Sequence, residues 1–188
     1  IFGGLGQDDI VGGSSSMFSL IDPNHRPDGN DMIFGGAGLH IGRNDASLPG
    51  DGTTEAERHA RDADVMIGDN GNIIRIVGTG GTDINPTGNP AAPFHVRFEY
   101  DTYAAHLPIV VRGVALLDYT PGGPDFRPDL FSPTDPGDTA YRKLFDLWAK
   151  VDIGGDDEIH GETGDDTIYG GGGNDILYGD ADDDDLIG

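Results

Sequence analysis

Asp157, Asp166, Asp175 and Asp184 fall nine residues apart near the end of the chain. Two places after each stands an aliphatic residue: Ile159, Ile168, Leu177 and Leu186. Two places before stand Gly155, Gly164, Gly173 and, in the last unit, Asp182. Carboxylates that recur at a short fixed period among glycines are chemistry for a hard cation. Glycine accepts positive φ, so turn carbonyls can aim at one point. Carboxylate and carbonyl oxygens together suit Ca²⁺, at about 2.3–2.6 Å. Mg²⁺ demands a stricter octahedron, and softer metals want Cys or more His. The chain has no cysteine. Pairs such as Asp8–Asp9 and Asp156–Asp157 have the makings of a glycosidase dyad, but recurrence at period nine favours ligation.

The elements that must position these groups are short. Residues 152–188 divide into DIGGDDEIH, GETGDDTIY, GGGGNDILY, GDADDDDLI and Gly188. Only the three residues around each aliphatic read as strand, with the aliphatic inward and its neighbours outward. The rest are turn formers. A solvated Gly/Asp linker has no reason to place an aliphatic at every ninth residue. The pattern G-G-x-G-x-D-x-U-x, with U aliphatic, resembles the calcium-binding nonapeptide of the RTX family. That resemblance implies an all-β fold, a right-handed parallel β-roll in which two units make one coil. Asp157 is then expected to stack on Asp175, and Asp166 on Asp184. Stacked carboxylates repel without a cation, so the ion is expected to be a requirement of the fold.

The pattern also runs through the first part of the chain. Gly3–Val11, GGLGQDDIV, has Asp8 sixth and Ile10 eighth. Gly12-Gly13 opens a second unit that expands into SSSMFSLIDPNHR. RPDGNDMIF over 26–34 restores the register, with Asp28, Gly29, Asn30 and Asp31 in its turn. The unit 35–43 keeps Gly38 but has His40 where Asp belongs. After an insertion at 44–58, HARDADVMI places Asp62 fourth, Asp64 sixth and Met66 eighth. The unit 68–76 has Ile73 in the sixth place. Counted this way, the first, third and fifth units keep the sixth-place Asp, which predicts one regular calcium edge and one edge of long loops. The expected ligands are Asp8, Asp28, Asn30, Asp31, Asp62 and Asp64, then Gly155, Asp157, Gly164, Asp166, Gly173, Asp175, Asp182 and Asp184.

The chain is thereby divided into a repeat segment with expanded loops (1–76), an insert (77–151) and C-terminal repeats (152–188). In the insert, Phe94–Tyr100 alternates as a half-buried strand. Ile109–Tyr119 reads as a second strand, interrupted by Gly113, and 73–77 completes a small sheet. Asp138–Val151 reads as a helix. Asp138 is its N-cap, and Tyr141, Leu144, Phe145 and Trp148 form one apolar face that packs on the sheet or the roll. The shared register predicts one roll that the chain leaves and re-enters, with Asp64 on the same edge as Asp157. Two short rolls about a spacer are the alternative.

Composition narrows the function. The net charge is −23, from 34 acidic and 11 basic residues. That excludes a basic nucleic-acid face, opposes anionic membranes and favours cations. No apolar run approaches the roughly 20 residues of a membrane span. The histidines are His25, His40, His59, His95, His106 and His160, none in H-E-x-x-H spacing. G-x-S-x-G and P-loop patterns are absent, and no catalytic residue is expected. His160 is expected to face solvent. Asp180, Asp182 and Asp184 resemble the start of an EF-hand loop but lack its Gly and closing Glu.

The resemblance implies a calcium-binding segment of a large secreted bacterial protein. Such a protein leaves the low-calcium cell unfolded by type I secretion, then folds and stiffens outside. Its partners are Ca²⁺ and neighbouring repeats of the same longer chain, since Ile1-Phe2 and Gly188 read as parts of further units. The alternatives are a self-processing module cut at Asp22-Pro23 or Asp135-Pro136, an accessory module of a secreted enzyme, and an adhesion module. The last would bind an extracellular protein or glycan through 77–151.

Overall fold

The computed structural model describes residues 1–18, 28–38, 59–79, 93–95, 109–119, 123–125 and 154–188. Three short strands come first: β1 (Asp9–Val11), β2 (Met32–Phe34) and β3 (Val65–Ile67). Then follow β4 (Gly71–Arg75), β5 (Val77–Thr79), β6 (Pro93–His95) and β7 (Arg112–Leu116). The C-terminal part gives β8 (Glu158–Thr163), β9 (Thr167–Tyr169), β10 (Ile176–Ala181) and β11 (Asp185–Ile187). Among the described residues nearly all regular structure is strand, an all-β arrangement.

Two parallel sheets carry the repeats. One has the order β1-β3-β9-β11 and the other β2-β8-β10, with Phe2 bridging to Phe34 at its margin. The eighth-place aliphatics of β1, β2, β3, β8, β9 and β10 point inward. Ile10, Met66 and Ile168 from the first sheet meet Ile33, Ile159 and Leu177 from the second in one core. Each fully buried aliphatic contributes roughly 2 kcal/mol, so the interior is a narrow seam one side chain deep per strand.

Strands from before residue 77 and after residue 151 share both sheets. β3 pairs with β9 through Met66↔Ile168, and β2 pairs with β8 through Ile33↔Ile159. Two separate stacks about a spacer are therefore ruled out. The expected edges need correction, however. In chain order the parallel strands alternate without exception between sheets: β1, β2, β3, β8, β9, β10, β11. The units 12–25, 35–43 and 68–76 supply no strand to either parallel sheet among the described residues. The count of alternate units shifts accordingly. Asp64 therefore lies on the edge opposite Asp157, and long excursions leave from both edges.

The excursion after β3 begins early. β4, which sequence placed in a repeat unit, pairs antiparallel with β7 through Ile73↔Val114 and Ile74↔Gly113. β5 pairs antiparallel with β6. Ile73 cannot serve as a sixth-place residue because its backbone is already committed to β7. Arg75 and Arg112 fasten this pair to the first coil by gripping opposite oxygens of Asp9, at 2.6 and 2.9 Å. Of the strand expected over 94–100, residues 94 and 95 lie in β6 and the remainder lies outside the described residues. So do the expected helix 138–151, His25, His40, His106 and both Asp-Pro bonds.

His160 is not a free surface residue. Its ring stacks between Phe34, at a centroid distance of 4.9 Å, and Tyr178, at 4.4 Å. Phe2 continues the row beyond Phe34 at 5.1 Å. These are ninth-place residues on successive coils, brought into contact by the register.

β8 and β10 run on around the turn, through Glu162↔Asp180 and Thr163↔Ala181. There Glu162 (φ 77°) and Asp180 (φ 73°) hold the left-handed conformation that Gly4 and Gly171 hold in other units. A side chain in that region costs on the order of 1–2 kcal/mol, against about 0.5–1 kcal/mol of extra chain entropy for glycine. Asp180→Gly is therefore expected to stabilise the calcium-loaded protein slightly, by roughly 0.5 kcal/mol. A lowered melting temperature in calorimetry would contradict this account of the turn.

Candidate metal centre

The turn from the second sheet to the first brings Asp8, Asp64, Asp166 and Asp184 into one column. The backbone amide of each residue donates to Oδ1 of the next: Asp8 to Asp64 (2.7 Å), Asp64 to Asp166 (2.7 Å) and Asp166 to Asp184 (3.0 Å). The opposite edge repeats the arrangement, with Asp31 donating to Asp157 (2.8 Å) and Asp157 to Asp175 (3.0 Å). The stacking of Asp157 on Asp175 and of Asp166 on Asp184 agrees with the eighteen-residue expectation.

Each such bond uses one carboxylate oxygen and leaves the other. Oδ2 of Asp8, Asp64, Asp157 and Asp166 is buried and has no hydrogen-bond partner. Leaving a buried charged acceptor unpaired costs several kcal/mol, and a regular series of such atoms calls for a cation. The glycine that follows each ninth-place residue makes room for them. A Cβ on Gly68 would collide with Asp157 Oδ2 and with the carbonyl oxygen of Gly170. A Cβ on Gly161 would collide with Asp166 Oδ2 and with the carbonyl oxygen of Gly179. Carboxylate and carbonyl oxygens thus crowd the same spaces, a hard-donor set that fits Ca²⁺.

The electrostatics of the bare protein point the same way. Burial pushes the carboxyl groups of Asp64 and Asp166 up to about 8 and about 10. Asp157 and Asp184 rise to about 6, and Asp28 to about 7, again mainly by burial and then by neighbouring carboxylates. Asp8 is also raised by burial. Exposed Asp156 moves the other way, lowered by hydrogen bonds from the Asn174 backbone and side chain.

The remaining expected ligands fall around these two columns. Asp62 and Asp182 sit in the fourth place on the Asp64 edge, where Gly6 donates to Asp62 (2.9 Å) and Gly164 to Asp182 (3.3 Å). Thr163 also donates its hydroxyl to Asp62 (3.3 Å). On the Asp157 edge, Gly155 and Gly173 stack backbone to backbone. Asn30 accepts from the Asp156 amide (3.1 Å) and Asp28 from the Asn70 side chain (2.6 Å).

Two buried residues on this edge escaped the sequence reading. Asp69 accepts from the amides of Gly155 (2.8 Å) and Gly172, and Asn70 accepts from the Ser14 amide (2.7 Å). They follow directly after β3, where the repeat has small turn residues. The Asp-Asn pair after Gly68 was the available signal, obscured by the degenerate unit around it.

A family model for the RTX calcium-binding nonapeptide repeat matches the chain in four copies, over residues 28–38 and 153–186. No curated protein and no solved structure matches it. The repeats bind Ca²⁺. The matched residues include Asp31, Asp157, Asp166, Asp175 and Asp184, and the sheets extend their columns to Asp8 and Asp64 outside the match.

Asp166→Asn is expected to weaken Ca²⁺ binding at least about tenfold, about 1.4 kcal/mol, because it removes charge beside a buried unpaired oxygen. Asp156→Asn, at an exposed fifth place, is expected to change affinity less than about twofold. Calorimetric titration of both variants checks this, and equal losses would refute the assignment.

A pH dependence follows with definite sign. These acids have folded pKa values above the ordinary 3.8, so the metal-free fold binds more protons than the unfolded chain. Its stability therefore falls as pH rises from about 4, the unfolded value, to about 10, the highest folded one. Ca²⁺ needs the ionised form, so its affinity falls as pH is lowered from 8 to 5. As pH is lowered from 8 to 5, circular dichroism of chelated protein should show the β signal returning while calcium titrations show affinity falling.

Proposed function

From a chain that carries RTX calcium-binding nonapeptide repeats, we propose a calcium-dependent folding module of a secreted bacterial protein. The two parallel sheets are the walls of a β-roll, with right-handed coils of two units each. Inside the low-calcium cell the carboxylate columns repel and the segment stays unfolded, fit for type I export. Outside, Ca²⁺ occupies the columns and the coils close and stiffen. The chain itself is non-catalytic in this reading, and neighbouring repeats of a longer protein are its natural partners.

The observation that carries the proposal is the series of buried, unpartnered Oδ2 atoms at Asp8, Asp64, Asp157 and Asp166. Among the described residues no helix is long and apolar enough to cross a membrane. No described feature favours self-cleavage or adhesion over this role.

Circular dichroism of the chain with Ca²⁺ and after chelation tests it. Loss of the β signal on chelation, with recovery on adding Ca²⁺ but not Mg²⁺, is expected. A β signal unchanged after verified metal removal would sink the proposal.

A further inference from the structure

We infer that His59, Asp165 and Asp183 form a second metal site, beside the calcium columns, that takes a borderline divalent cation such as Zn²⁺ or Co²⁺. One ligand atom from each of the three lies within 4.8 Å of the others. His59 Nδ1 stands 2.6 Å from Asp165 Oδ1, and the two side chains are only 16% and 11% exposed. Asp183 is exposed, so its carboxylate can turn to close on an ion.

The backbone holds these groups in place. The Asp165 amide donates to the His59 carbonyl at 2.9 Å, docking the helical turn 59–61 on the stack. The Asp183 amide donates to Asp165 Oδ1 at 3.0 Å, which sets the two fifth-place residues of successive coils one above the other. Neither belongs to the sixth-place column, where Asp166 pairs with Asp64 and Asp184.

The donor set selects the metal. Ca²⁺ takes oxygen ligands, whereas an imidazole nitrogen with carboxylates suits Zn²⁺ and its neighbours. A simple His–Asp ion pair would need one carboxylate, and the second adds an excess negative charge that a dication would balance. A cavity shared with the calcium column adjoins the two aspartates. Its volume is about 480 Å³, and it is lined by Asp165, Asp183 and Arg112 and also by Asp64, Asp166 and Asp184 of the calcium column, while His59 stands outside its lining. Arg112 is 2% exposed there, and its Nη2 has no hydrogen-bond partner. The cavity thus offers room, and an unmet donor, for the exogenous ligands that a three-residue metal site leaves open. A bound ion would pin the return of the excursion that follows β2 to the C-terminal coils.

Calorimetric titration of the full chain with Zn²⁺, at saturating Ca²⁺, tests this. One Zn²⁺ per chain is expected, with His59→Ala and Asp183→Asn each weakening it at least tenfold. Calcium stoichiometry and the β signal, measured on the same samples, should not change. Absence of Zn²⁺ uptake by the unaltered chain, or either folded variant titrating like it, overturns the site. If His59→Ala fails to fold, the exposed Asp183→Asn decides alone.

Discussion

The constraint on which this structure depends is repulsion between like carboxylates stacked along both edges of a narrow coil. Adjacent strands sit about 4.8 Å apart, which sets the spacing of successive coils. At an effective dielectric of about 20, two ionised carboxylates at that distance repel by roughly 3–4 kcal/mol. Each coil offers only two inward aliphatics, worth roughly 2 kcal/mol apiece when fully buried, and must also order a pair of glycine-rich turns. The apolar seam therefore cannot carry the stack alone. The backbone amides that donate to each Oδ1 orient the carboxylates but leave Oδ2 exposed to this repulsion. A cation changes the sign of the edge terms, which is why the acids can be buried at all.

Much of this was legible in the sequence because period nine is a geometric statement. Asp157, Asp166, Asp175 and Asp184 could be paired by counting, and Ile33, Met66, Ile159 and Ile168 could be assigned to the core as eighth-place residues. What counting could not decide was how many half-coils the interrupted units represent. The segments 12–25, 35–43 and 68–76 retain glycines in register, so they look like units. Among the described residues they supply no parallel strand, however, and the parity of every later edge depends on them. That one ambiguity moved Asp64 to the wrong column while leaving its role in a column intact.

Other parts were hidden for a different reason. The grip of Arg75 and Arg112 on Asp9 joins residues from the first coil, β4 and β7, and no local pattern announces it. Asp69 and Asn70 are buried by a turn that closes against Gly155, Gly172 and Ser14. The contact between His59 and Asp165 spans 106 residues. Such sites exist only once the register of distant coils is known, and composition carries no trace of them.

The alternation of strands between the two sheets has a kinetic consequence. Within the last coils, the column bonds close loops of 18 residues, as between Asp157 and Asp175 or Asp166 and Asp184. Adding β3 to this stack requires Asp64 to find Asp166 across 102 residues, and adding β2 requires Asp31 to find Asp157 across 126. Closure entropy rises by about 0.6 kcal/mol per doubling of loop length, so each of these steps carries a handicap of roughly 1.5 kcal/mol over the local ones. The C-terminal units are thus the nucleus by topology, and the earlier strands join a template already formed. Distant segments arrive at a preset register, so the excursions between them can vary in length with little effect on the order of assembly.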